Sequence, residues 1–112
     1  NDQCGSEPDA VMIASYVGFV RKLRARFLRV QVVALRPFGG PYEAAIRRAV
    51  ETLNAAGDTR VHFVDTVGWL DKSDFVDGIH PTEAGHRKVA SLLAPLLKPL
   101  LGEGRAARAT SP

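Results

Sequence analysis

The chain has 112 residues, 46% of them hydrophobic and 24% charged, which suits one ordinary globular domain with a modest core. The formal net charge of +3 comes from arginines and lysines scattered along helical faces and the C-terminal segment. The few aromatics are not interleaved with them, which argues against a nucleic-acid surface. No run approaches the roughly 18 apolar residues of a membrane span. The single cysteine, Cys4, has no partner for an internal disulfide, and no Cys/His cluster has zinc spacing.

Residues 1–8 are polar and rich in turn formers, and read as a loop. Asp9 reads as the N-cap of a first helix reaching about Phe27, with Ile13, Tyr16, Val17, Val20, Leu23 and Phe27 on one face at helical spacing. Val30–Leu35 is a short β-branched run closed by Arg36-Pro37, the signature of a largely buried parallel strand. After the turn Phe38-Gly39-Gly40-Pro41, a second helix is predicted from about Tyr42 to Ala55, with Tyr42, Ile46, Ala49, Val50 and Leu53 inward and Gly57-Asp58 as its stop. Arg60–Asp65 reads as a second strand, in which His62 is an ordinary strand residue between Val61 and Phe63. A loop from Thr66 to Asp77 carries Trp69 and Phe75, with Asp65 and Asp74 as turn or capping residues. The last helix is predicted to start near Thr82, to be kinked or shortened by Pro95, and to give way to a disordered tail over 102–112.

The order helix, strand, helix, strand, helix implies parallel strands joined by right-handed helical crossovers. Two strands make a poor sheet, and near-continuous apolar strands want helices on both faces. The expected fold is therefore α/β, a partial domain comprising the second half of a larger three-layer sheet. Ligands of such sheets bind outside the carboxyl ends of the strands. The loop after the second strand, with Asp77 and His80, opens on that edge.

Asp77-Gly78-Ile79-His80-Pro81-Thr82 places an acid three residues before a histidine and then opens a helix, a compact way to set a carboxylate against an imidazole. The plain alternative is a turn in which the aspartate accepts backbone donors beside a helix start. His86 lies six residues after His80, with no further ligands at metal spacing, and reads as structural.

The extended block Asp77-Gly-Ile-His80-Pro81 with Gly85-His86 opening the last helix resembles the final conserved block of the SGNH/GDSL serine esterases. Phe63-Val64-Asp65-Thr66 with Gly68-Trp69-Leu70 resembles the approach to it, and Asn1-Asp2 looks like the second half of the family's Gly-x-Asn-Asp block. The likeness runs from Asn1 to about Leu101. It implies a flavodoxin-like three-layer α/β/α sheet and hydrolysis of carboxylic esters, whether small-molecule, carbohydrate or lipid, without metal or organic cofactor. It also implies roles. His80 would be the general base and then acid, Asp77 would fix its tautomer, and Asn1 would donate to the oxyanion.

The family's nucleophile lies in a Gly-Asp-Ser block, and its second oxyanion donor is a glycine between that block and Asn-Asp. Neither stands in this sequence: Ser6, Ser15, Ser73, Ser91 and Ser111 all lack the motif. The chain is thus expected to be the C-terminal half of such a domain, separated from its N-terminal half. The competing expectation is a non-catalytic, partial or degenerate α/β domain acting as a binding or interaction module.

Overall fold

A computed structural model of the chain describes residues 8–109, with side chains described for residues 8–102. Three α-helices alternate with two strands and a short 3-10 turn: α1 (Asp9–Arg26), β1 (Val32–Leu35), α2 (Glu43–Ala55), β2 (Val61–Val64), the turn Lys72–Asp74, and α3 (Glu83–Ala109). The strands pair in parallel, Val32 opposite Val61 through Leu35 opposite Val64. The fold is therefore mixed helix and strand, compatible with part of an α/β domain. Among the described residues each strand has the other as its only strand partner. No described helix is long and apolar enough to cross a membrane.

The chain divides into two compact units, residues 1–66 and 67–112. In the first unit, α1 packs on α2 and α2 on β2. Val17, Val20, Ala34, Ile46, Ala49, Val50, Leu53 and Val61 form the core. Its hydrophobic burial drives this unit together. The face predicted for α2 is the buried one, with Ala45 added and Tyr42 at the margin. In α1 the predicted stripe holds at Val17 and Val20, but Phe27 is 52% exposed. The physical reason is that the helix stops at Arg26 and the backbone departs from helical geometry at Phe27, so the periodicity no longer places that side chain. Asp9 lies in the first turn rather than at the N-cap, which is Pro8.

The ends of these elements are tied by polar groups. Gly57, at a φ of +105°, closes α2 in a Schellman turn: its N–H donates to the Asn54 carbonyl (3.0 Å) and that of Asp58 to the Leu53 carbonyl (3.0 Å). Arg24 gathers the chain around the end of α1, donating to Asp58 (3.0 Å) and to the carbonyls of Phe27, Leu28, Val30 and Arg60. At the carboxyl edge, Arg36 pairs with Glu43, and Arg47 sits 4.4 Å from the Phe63 ring centroid and 3.6 Å from Asp65. The buried Thr66 hydroxyl donates to the Arg36 carbonyl at 2.7 Å. His62 is satisfied by Gln31 at 2.7 Å.

The sequence predicts that Pro95 kinks or shortens α3 and that a disordered tail follows from 102; in the second unit α3 instead continues past Pro95 and Pro99 to Ala109, so it is not shortened there. A proline's fixed φ is itself helical, so each costs one backbone bond and some crowding. The leucines around Pro95 and Pro99 and the Ala/Arg run after Gly104 are strong helix formers that favour continuation.

Candidate functional site

The Asp77–His80 segment is a tight turn built by its own sequence. Gly78 adopts a φ of +84°, a region L side chains avoid. One carboxylate oxygen of Asp77, Oδ1, accepts the N–H of Ile79 at 3.0 Å and that of His80 at 2.7 Å, the side-chain mimic of a turn that aspartate favours. The two arms run side by side: the Val76 N–H donates to the His80 carbonyl at 2.8 Å, and Phe75 faces Pro81 in an isolated antiparallel bridge.

With Oδ1 holding the backbone, Oδ2 of Asp77 lies 2.6 Å from His80 Nδ1. A carboxylate only accepts, so Nδ1 carries the proton, and in the neutral imidazole Nε2 then has the lone pair. The described residues make no other hydrogen bond to the imidazole. The Asp77 and His80 side chains are 50% and 73% exposed, so the pair contributes little to stability and is open to a reacting group. The N–H of His80, its imidazole and the N–H of Ile79 hold the Asp77 carboxyl well below the usual carboxylate range, as bonds to the charged form do. An anion beside an imidazole with a free nitrogen is what a general base requires.

Below the turn lies a second polar set. Asp71 and Asp74 form a reciprocal cap on the 3-10 turn: Asp71 accepts from Ser73, and Asp74 accepts the Asp71 N–H at 2.9 Å. Asp74 is buried, and Lys88 reaches it from α3 at 2.6 Å. Lys88, then the Asp71 N–H, hold the Asp74 carboxyl below its ordinary value, while Asp74 raises that of Lys88. Thr82 caps α3, its hydroxyl accepting the Gly85 N–H at 3.0 Å. The Thr82 N–H donates to the Asp74 carbonyl at 2.7 Å.

Of the sequence-predicted site residues, Asp77 and His80 are brought together, while Asn1 lies outside the described residues, as do Cys4, Ser6 and Ser111. The turn reading and the dyad reading of Asp77 coexist, one on each carboxylate oxygen. Ser73 donates to Asp71 and Ser91 to the Arg87 carbonyl; neither bonds the imidazole. The sequence reading gave Asp74 a capping role but missed its pairing with Lys88. The only available signal was an acid and a base fourteen positions apart, which no local period selects. Among the described residues no three His, Cys, Asp or Glu side chains gather to hold a metal ion.

Gly78 offers a direct check on the turn. A Cβ there meets open space, so Gly78→Ala adds no clash and only the cost of a positive φ, about 1–2 kcal/mol. Trp69, the one tryptophan, lies in the second unit. Urea unfolding followed by its fluorescence is expected to shift to lower midpoint, and an unchanged midpoint would mean that the turn does not hold this geometry.

Compared with protein-family models, curated proteins and solved structures, the chain finds no match in any of the three.

Proposed function

We propose that this chain carries the acid–base pair of an SGNH/GDSL-type ester hydrolase, as the C-terminal part of a flavodoxin-like three-layer domain. The observation that supports this most is the 2.6 Å contact of Asp77 Oδ2 with His80 Nδ1, in a turn that leaves the imidazole exposed. His80 Nε2 takes the proton of a serine hydroxyl supplied by a segment outside this sequence, as the serine oxygen attacks the ester carbonyl carbon. The imidazolium, held by Asp77, returns that proton to the departing alcohol. Water then enters by the same route and releases the acid. The Asn1 amide donates to the oxyanion, a contribution of about 3–4 kcal/mol for one such donor. The substrate is a carboxylic ester, and no metal or organic cofactor takes part in these steps.

The test is labelling by a fluorophosphonate, which traps an activated serine, on this chain and on a form extended upstream through a Gly-Asp-Ser block. Labelling of the extended form alone, lost on His80→Ala, is the expected result. Labelling of the 112-residue chain itself would place the nucleophile among its own serines and overturn the division of roles. If neither form labels while both are folded, the second reading takes over, that of a non-catalytic interaction module. What favours that reading is the sheet of two strands, each with one edge lacking a strand partner among the described residues, which is a surface for strand addition.

A further inference from the structure

The Asp77–His80 turn is exposed, so packing on its own side chains does little to hold it. Its two ends, however, are fixed at one residue. Asp74, three positions before Asp77, is an acid only 5% exposed. Its carboxylate accepts from Lys88 at 2.6 Å and from the Asp71 N–H at 2.9 Å. Its carbonyl accepts the Thr82 N–H at 2.7 Å, immediately after the turn returns through Pro81. That carbonyl also lies 2.6 Å from where a Cβ would stand on Gly85. Lys88, on the second turn of α3, thus draws the start of the turn onto the helix that begins at its end. Between these anchors the turn is cross-tied by the Val76–His80 bond and the Phe75–Pro81 bridge.

An ion pair of this kind is a poor choice for stability alone, since an apolar pair of similar volume does as well without the desolvation cost. What it adds is direction: Lys88 bonds Asp74 closely, with the second acid, Asp71, at 3.9 Å. Acid–base pairs need placement within about 0.5 Å, supplied by the residues around them.

We propose that Lys88, through its ion pair with Asp74, is a positioning residue for the Asp77–His80 pair, clamping the base of the turn so that the Asp77 carboxylate stays on His80 Nδ1. The catalytic meaning of this role rests on the ester-hydrolase reading, but the contact is testable without catalysis. The experiment is nitrogen-15 NMR of the full 112-residue chain at a pH where the imidazole is neutral, reading from the His80 ring nitrogen shifts whether the proton sits on Nδ1, as a carboxylate partner favours, with helix content followed by circular dichroism. Lys88→Met is expected to keep the helix signal and lose the preference for Nδ1, and Lys88→Arg, which restores charge and donors, to recover it. A preference for Nδ1 that survives in Lys88→Met overturns the positioning role alone. Its absence from the wild-type chain overturns the Asp77–His80 pair itself, and the positioning role with it. Should Lys88→Met lose helix content, Lys88→Gln takes its place, where a weakened preference supports the role and a full one overturns it. In the extended enzyme, the same substitution is expected to lower kcat with KM unchanged, a split that loss of folded protein does not reproduce once active sites are titrated.

Discussion

In the intact enzyme proposed above, His80→Ala is expected to lower kcat by roughly 10⁴-fold or more with KM little changed, the scale on which removal of a triad base acts. The geometry makes this the cleanest single variant of the site. The His80 side chain is 73% exposed and its ring bonds only Asp77 among the described residues, so truncation opens no cavity and strands no buried group. What is lost is the proton acceptor, an interaction made only on the way to the transition state. Asp77→Ala is a less clean variant because Asp77 has two tasks. Oδ2 orients the imidazole, while Oδ1 accepts two backbone N–H groups that fold the turn. The check is steady-state kinetics on a chromogenic ester, with the enzyme quantified by its melting transition. Turnover of His80→Ala within tenfold of wild type would sink the assignment of His80 as base.

The largest expected effect on stability is at Gly85. Mid-helix, replacing glycine with alanine ordinarily gains about 1 kcal/mol. At Gly85 the sign reverses. A Cβ would stand 2.6 Å from the Asp74 carbonyl oxygen, 3.2 Å from Pro81 Cβ and 3.3 Å from Asp74 Cβ. The first of these is backbone and also accepts the Thr82 N–H, so it has no side-chain rotation by which to yield. Overpacking of this kind costs about 1–3 kcal/mol, and displacing the carbonyl endangers a hydrogen bond worth about 1 kcal/mol. The net expectation is destabilisation of the second unit by about 1–3 kcal/mol, read as a lower urea midpoint of Trp69 fluorescence. Gly102, in the same helix with open space around it, is the control: Gly102→Ala is expected to be neutral or stabilising. If both substitutions behave alike, the close approach of α3 to Asp74 is wrong.

Both expectations concern the same few residues, yet they differ in how far the sequence discloses them. The contact of Asp77 with His80 is local: three residues separate the partners, and Gly78 between them supplies the positive φ that folds one onto the other. The α2 face, the two strand segments and the stop at Gly57 are likewise short-range patterns, written as helical spacing, β-branched runs and a glycine. The start of α3 near Thr82 follows from a side chain that caps its own helix.

By itself, then, the sequence determined the order of helices and strands, most of the first unit's core, and the juxtaposition of an acid and an imidazole. The elements and the acid–imidazole contact depend on neighbours within a turn or two of chain, and the core is assembled from the apolar faces that those elements carry. Only the tertiary structure decided that Lys88 seeks Asp74, that Gly85 must be glycine, that Phe27 faces solvent, and that α3 runs on through two prolines to Ala109. The first two depend on the path of the loop between Asp74 and Thr82. The third depends on where α1 stops, and the fourth on helix-forming residues outweighing the local cost of proline. None of these has a period or a motif, because each is a balance between distant or competing groups that exists only once the chain has folded.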